Sequence, residues 1–113
     1  MADFLWHPFQ NGGTLGRTGS EQGTTVRDEE YSLGARISLE RDCRVAPFAI
    51  TCGVYGWLTH TRFFRSKYEA EMQYEAMKSA LAMLLEVAEK AKAINGGRQV
   101  LVAGVSKFVE KFP

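Results

Sequence analysis

The sequence contains few cysteines, almost no net charge and no long apolar run. Its 113 residues include two cysteines, Cys43 and Cys52, which is too few for a disulfide framework. His7 and His60 have no second histidine at helical or strand spacing, so the ligand cluster of a structural zinc site is missing. The formal net charge of +1 argues against a strongly basic nucleic-acid-binding protein. We therefore predict no metal, no cofactor and no nucleic-acid partner.

Signals for membrane insertion and export are also missing. No apolar run approaches the roughly 20 residues that a membrane-spanning helix needs. The first residues, MADFLWHPFQNGG, lack the basic segment, apolar stretch and cleavage site of a secretory signal peptide. We expect a cytoplasmic protein without a membrane partner. The length, with 45% hydrophobic and 24% charged residues, predicts a single globular domain over residues 1–113.

Glycines punctuate residues 11–27, NGGTLGRTGSEQGTTVR. This composition predicts turns, with a hairpin loop at TGSEQG between two short strands near residues 14–17 and 24–30. The stretch has no GxGxxG or GxxxxGK[ST] pattern, and no apolar strand leads into it, so a phosphate-binding loop is not predicted.

Residues 31–41, YSLGARISLER, alternate between apolar and polar side chains, which predicts a half-buried strand. Pro47 opens the next strand, at 48–60. If the two strands form a hairpin with coinciding apolar faces, Leu39 pairs with Phe48 and Glu30 lies near Trp57. A slip of two residues would preserve the faces and change the partners.

Residues 48–60, FAITCGVYGWLTH, are rich in large side chains on both faces of such a strand. One face is apolar and suits the core. The other, which we call the outer face, combines aromatic and polar groups from three segments: Glu30, Arg36, Ser38, Thr51, Tyr55 and Trp57. Such mixtures are typical of binding surfaces. We consider three interpretations: cover by the N-terminal segment through Phe4, Trp6 and Phe9, a homodimer interface, or a small-molecule site.

A long helix is predicted over residues 66–94, because Ser66 and Glu69 form a capping box and no glycine or proline occurs before Gly96. Its apolar seam follows alternating steps of four and three: Ala70, Tyr74, Met77, Leu81, Leu84, Ala88 and Ala91. The helix would span roughly 43 Å, longer than a ten-residue strand of about 33 Å. It either lies alone on the sheet or also contacts a second subunit or the tail.

The tail, residues 98–113, fits two structures. Val100, Leu101 and Val102 favour a strand before Gly104, whereas Leu101, Val105, Phe108 and Phe112 have helical spacing. We predict a short helix over the later part.

Three consecutive acids, Asp28, Glu29 and Glu30, form the densest charge cluster. Carboxylates this close raise one another's pKa when partly buried, which would suit acid–base catalysis. A solvated strand edge is the alternative. A catalytic pair of Cys52 and His60 fails on distance, since eight residues of one strand span more than about 25 Å, unless the strand breaks at Gly56.

These features together predict an α+β domain: an antiparallel sheet of three to four strands, one long helix on one face and a short C-terminal helix. The expected function is non-enzymatic, a self-associating interaction or ligand-binding domain that uses the outer face. We expect a homodimer and consider a small-molecule ligand. The alternative is a small enzyme that uses the acidic cluster near Arg36 and Tyr55.

Overall fold

The computed structural model describes residues 5–113, which form an antiparallel meander followed by two α-helices. Each strand pairs with the next along the chain, in the order β1-β2-β3-β4-β5. The elements are β1 Trp6–Pro8, β2 Thr24–Tyr31, β3 Ala35–Arg41, β4 Phe48–Val54, β5 Leu58–Phe64, α1 Lys67–Ala91 and α2 Gly97–Lys111. The predicted α+β class, with an antiparallel sheet, a long helix and a short C-terminal helix, is confirmed.

The sheet has five strands in this part of the chain, not the predicted three to four. The first is β1, a three-residue strand that pairs Trp6 with Tyr31 at one edge. The strand predicted at residues 14–17 is wrong, because that stretch forms turns. Only an isolated bridge between Thr18 and Thr24 remains there.

The segment 48–60 is not one strand, because the chain reverses at Gly56. This glycine has a φ of +83°, which L side chains rarely adopt. The backbone N–H of Trp57 donates to the carbonyl oxygen of Val54 at 2.9 Å and closes the turn. Strands β4 and β5 follow from this reversal, and their outer-face residues become neighbours across a hairpin.

The hairpin of β3 and β4 has the alternative register, slipped by two residues. Leu39 pairs with Ile50 instead of Phe48, and the apolar faces still coincide. The reason is the connection: the N–H of Asp42 donates to the carbonyl oxygen of Pro47 at 2.7 Å, so that the loop closes on the next pair along. The single strand predicted over residues 31–41 is also wrong, because residues 32–34 form a turn between β2 and β3. Glu30 therefore lies near the end of β2, where it contacts Tyr55 rather than Trp57.

Helix α1 packs across the inner face of the sheet. The Ser66 hydroxyl accepts a hydrogen bond from the N–H of Glu69 at 3.2 Å, as expected for the N-cap of a capping box. The helix ends at Ala91, and Lys92–Ile94 continue as a short 3₁₀ turn. Its buried side chains are Ala70, Tyr74, Met77, Leu81, Leu85 and Ala88.

Helix α2 folds back along α1, and its C-terminal end reaches β5, where the carbonyl oxygens of Phe112 and Pro113 lie within hydrogen-bond distance of His60 and Arg62. The strand considered before Gly104 is wrong, because residues 97–111 are helical throughout. Leu84, predicted in the seam toward the sheet, instead faces α2. A Cβ added to Gly104 of α2 would lie 3.2 Å from the Cβ of Leu84. The tail is thus the helical partner of α1. Among the described residues, neither helix is long and apolar enough to span a bilayer.

Candidate functional site

The N-terminal loop, residues 9–23, covers the outer face of the sheet. The Thr14 hydroxyl donates to Oδ2 of Asp28 at 2.9 Å. The backbone N–H groups of Glu21 and Gly23 both donate to Oε1 of Glu40, each at 3.1 Å. Asp28 and Glu40 are only 4% and 1% exposed. The loop therefore replaces water around two acidic side chains of the sheet.

The aromatic residues expected to cover the outer face lie on both faces of the sheet. Phe9 stacks on Arg36, with 3.6 Å between the guanidinium carbon and the ring centre. Trp6 instead packs against Tyr31, which belongs to the core on the inner face, with ring centres 4.9 Å apart. Phe4 lies outside the described residues. The cover on the outer face is thus mostly polar loop.

A cavity of about 530 Å³ lies between this loop and the strands. Its size is within the range of small-molecule sites. Hydroxyl groups from both the loop and the sheet line it: Thr14, Thr18, Ser20, Thr25, Ser38, Thr51 and Thr59. We call this space the outer cavity. Seven of its seventeen lining residues are therefore serine or threonine, whose hydroxyl groups both donate and accept hydrogen bonds.

Arg36 and Asp28 form an ion pair in the wall of the outer cavity. The Nε and Nη2 atoms of Arg36 donate to the two carboxylate oxygens at 2.9 and 2.6 Å. These hydrogen bonds raise the pKa of Arg36 above its ordinary value, despite the opposing effect of burial. The Thr14 hydroxyl is a third donor to the Asp28 carboxylate. The role of this carboxylate is therefore to connect the loop and the strands in the cavity wall.

Tyr55 closes one end of the outer cavity and is held by Glu30. The Tyr55 hydroxyl donates to Oε2 of Glu30 at 2.5 Å, and Nε2 of His7 lies 3.3 Å from Oε1. Burial, reinforced by the hydrogen bond to Glu30, raises the pKa of Tyr55 to about 12. The phenol therefore stays protonated at neutral pH.

The third acid, Glu29, lies on the opposite face of the sheet. It accepts hydrogen bonds from the Tyr74 hydroxyl at 2.9 Å and from Nζ of Lys78 at 2.7 Å. Burial raises the pKa of Glu29, but the bonds to Lys78 and Tyr74 and the charges of Lys78 and Arg27 outweigh it, so the pKa falls below its ordinary value. Strand alternation thus separates Glu29 from Asp28 and Glu30.

Of the six residues predicted for the binding surface, Arg36, Ser38, Thr51 and Tyr55 line the outer cavity. Glu30 does not line it and acts on it through Tyr55. Trp57 lies elsewhere, in the β4–β5 turn, with its ring centre 5.7 Å from the guanidinium carbon of Arg98 in α2.

Sequence reasoning missed the loop residues of the cavity, Thr14, Thr18 and Ser20. The glycines around them correctly predicted turns, but turns alone do not say which surface a loop lies on. The available signal was Glu40, a charged residue at an outer-face position, whose burial requires donors from another segment.

Cys52 and His60 are Cα partners across β4 and β5, so the distance argued against this pair was wrong. The reversal at Gly56 is the reason. The thiol is nevertheless unsuited to nucleophilic chemistry, because Cys52 is 3% exposed and burial raises its pKa to about 12. Nε2 of His60 lies 2.5 Å from the carbonyl oxygen of Phe112 instead.

Comparison with known proteins does not assign a function: the chain matches no family model, no curated protein and no solved structure. Within residues 5–113, no group of three or more His, Cys, Asp or Glu side chains is placed to hold a metal ion. The function is therefore argued from the geometry of the outer cavity.

Proposed function

We propose that the protein binds a small, uncharged, hydroxyl-rich molecule, such as a monosaccharide or cyclic polyol, in the outer cavity. The observation that carries this proposal is the wall of serine and threonine hydroxyls around about 530 Å³ of space. Hydroxyl side chains rotate to donate or accept, and they match ligands whose own hydroxyl groups do both. The ring of Tyr55 supplies an apolar surface for the carbon skeleton of the ligand.

The balance of charge around the cavity favours a neutral ligand. Arg36 is neutralised by Asp28, and Arg17, the second cation of the wall, is exposed to solvent, which screens its charge. A strongly charged ligand would therefore find no buried, unpaired charge of the opposite sign inside the cavity. Hydrogen bonding and the Tyr55 ring remain as the sources of affinity.

The proposed role is binding without catalysis. Both carboxylates at the site already have partners: Asp28 accepts from Arg36 and Thr14, and Glu30 accepts from Tyr55. A general base must be free to reach the proton that it removes. The alternative enzyme would need Asp28, Glu29 and Glu30 together, and Glu29 faces the helices.

Isothermal titration with a panel of neutral monosaccharides and inositols tests this proposal, with glucose 6-phosphate as the charged comparison. Thr51→Val and Ser38→Ala each remove a hydroxyl with little change in shape. We expect either variant to weaken binding of the best ligand by about tenfold or more, the effect of one buried hydrogen bond. Ser79→Ala, at an exposed position on α1, is the matched control.

Binding of none of these compounds at millimolar concentration would reject the proposal. So would ligand-induced amide shifts in a ¹H–¹⁵N spectrum that avoid residues 14–20, 36–38 and 51–59. Tighter binding of the phosphate ester than of glucose would contradict the inferred neutrality of the ligand.

We also propose that the protein forms a homodimer, through the free edge of β5. The opposite edge is only three residues long and contains Pro8, a feature that discourages pairing. Strand β5 has seven residues without proline, and within residues 5–113 no further strand pairs with it. In an antiparallel pair centred on Thr61, Thr59 would face Phe63 of the partner subunit, a favourable cross-strand pair. Phe63 is 46% exposed in the single chain.

Sedimentation velocity across a concentration series tests self-association, and a cysteine at the two-fold axis tests the register. In a Cys43→Ser background, Thr61→Cys should form an intersubunit disulfide under mild oxidation, since directly opposite residues lie within disulfide reach. Thr59→Cys alone should not cross-link. A protein that stays monomeric at high concentration would remove the dimer.

A cytoplasmic location completes the proposal. Its support is that Cys43 and Cys52 are both free thiols, as is usual in a reducing compartment. Cell fractionation of the tagged protein in its own host would test the location, and recovery in an oxidising compartment would contradict it.

A further inference from the structure

A second cavity lies at the other end of Tyr55, between the β4–β5 turn and the junction of the two helices. Its volume is about 570 Å³. Seven of its thirteen lining residues are apolar or aromatic: Leu33, Val54, Tyr55, Trp57, Leu85, Ala88 and Leu101. Val54 and Leu85 at its base are buried, whereas Trp57 is 44% exposed. The space is therefore an apolar hollow that opens to solvent beside an indole ring. We call it the helix-end cavity.

The charges at its mouth leave one cation without a counterpart. Lys92 and Glu89 neutralise each other, with 2.9 Å between Nζ and Oε1. Arg98 has no carboxylate within salt-bridge distance among residues 5–113, and its guanidinium carbon lies 5.7 Å from the centre of the Trp57 ring. An unpaired guanidinium above an apolar hollow suits a molecule with an apolar body and a single negative charge.

The backbone at the start of α2 also favours an anion in this cavity, although Arg98 makes the main contribution. Helix α2 begins at Gly97, which also lines the cavity, and its N-cap Gly96 has no side chain to accept from the first N–H groups. The positive end of the helix dipole therefore lies next to Arg98. Gly97 permits this placement, since a Cβ there would lie 2.8 Å from Cγ of Lys92.

We propose that the helix-end cavity binds a small branched or cyclic apolar carboxylate. The hydrocarbon body lies against Trp57, Leu33 and Leu101, and the carboxylate accepts hydrogen bonds from Arg98. A monoanion fits better than a phosphate ester, because the mouth offers one uncompensated cation and a doubly charged group needs more. This site is separate from the outer cavity, with different lining chemistry and a different class of ligand.

The test compares 4-tert-butylcyclohexanecarboxylate with its neutral amide, two molecules of nearly the same shape. Both are optically silent, so the indole N–H signals of Trp57 and Trp6 report binding directly in a ¹H–¹⁵N spectrum. We expect the carboxylate to bind at least tenfold more tightly than the amide and to shift the Trp57 signal but not the Trp6 signal. Isothermal titration gives the two affinities.

Two variants separate the roles of charge and apolar surface. Arg98→Gln should bring the carboxylate down to the affinity of the amide, whereas Trp57→Ala should weaken both compounds. Arg65→Gln removes an exposed arginine elsewhere and should leave both affinities unchanged. Circular dichroism confirms that each variant is folded before it is titrated.

Equal affinities for carboxylate and amide in the wild-type protein would overturn the assignment of Arg98. Failure of both to bind, or shifts confined to residues 14–20 and 36–38, would overturn the site itself. Since the monosaccharide titrations probe the outer cavity, either proposal can fail while the other stands.

Discussion

Arg36 and Asp28 form an ion pair with two hydrogen bonds, in which the Arg36 side chain is in contact with solvent and the Asp28 carboxylate is buried. The Arg36 side chain is 39% exposed, whereas that of Asp28 is 2% exposed. The carboxylate therefore depends on its protein donors, because almost no water reaches it. The pair joins β2 to β3 on the outer face and stacks on Phe9 of the N-terminal loop.

Asp28→Asn should lower the free energy of unfolding by about 1–3 kcal/mol, since it weakens two charge-assisted hydrogen bonds at a buried position. Urea denaturation measures the change. Asp42→Asn is the matched control, because Asp42 pairs with Arg41 at the surface and is 75% exposed. We expect the control to differ from wild type by no more than about 0.5 kcal/mol. Equal costs at both positions would contradict the sealed environment of Asp28.

The charge of Glu29 should stabilise the protein at neutral pH and cease to do so in acid. Its folded pKa is below the ordinary value of 4.5, so the carboxylate is more easily ionised in the folded state than in the unfolded state. This contribution is complete above the unfolded pKa and is lost as the pH falls through the folded pKa. The stability difference between wild type and Glu29→Gln should therefore shrink below about pH 4.5. A difference that grows in acid would reverse the sign of the shift.

Cys52 should resist thiol reagents in the native protein. The reactive species is the thiolate, and a pKa raised to about 12 by burial leaves almost none at pH 8. In a Cys43→Ser variant, we expect slow labelling by a disulfide reagent under native conditions and rapid labelling in urea. Fast native labelling would place the thiol at the surface and contradict the register of β4.

Leu81→Ala should destabilise the protein by about 2–5 kcal/mol, because Leu81 is fully buried between α1 and the sheet. Met83→Ala, two residues along the same helix, removes a side chain that is 68% exposed and should cost no more than about 0.5 kcal/mol. Chemical denaturation of both variants compares the two faces of α1. Similar losses would mean that a surface not seen in the single chain buries Met83.

Local chemistry was sufficient to predict α1 and the later part of α2, but not the first turns of α2. Ser66 and Glu69 mark the start of α1 through a hydrogen bond between residues only three positions apart. A short stretch of sequence is therefore enough to recognise it. In the tail, the spacing of Leu101, Val105, Phe108 and Phe112 correctly favoured a helix, whereas the β-branched Val100 and Val102 favoured a strand. Packing against α1 decided the matter, as residue propensities are weaker than burial of a helical stripe.

The turn at Gly56 and the covering loop could not be predicted in the same way. Tyr55 and Trp57, on either side of Gly56, both favour strands. The local sequence therefore indicates one continuous strand that runs through the glycine. The loop position depends on Glu40, whose partners Glu21 and Gly23 lie 17 to 19 residues earlier in the chain. Such contacts exist only once the sheet has formed. For the same reason, four of the six predicted surface residues line the outer cavity, while its loop wall went unrecognised.

The bonds from Glu21 and Gly23 to Glu40 have a consequence for the kinetics of ligand entry. Both amide protons are held by one buried carboxylate, so they exchange with solvent only when the loop detaches from β3. At a pH high enough that chemical exchange outpaces reclosing, their hydrogen–deuterium exchange rates therefore measure how often the roof of the outer cavity opens. The opening rate obtained under those conditions sets an upper limit on the rate at which an enclosed ligand leaves, and therefore a lower limit on its residence time.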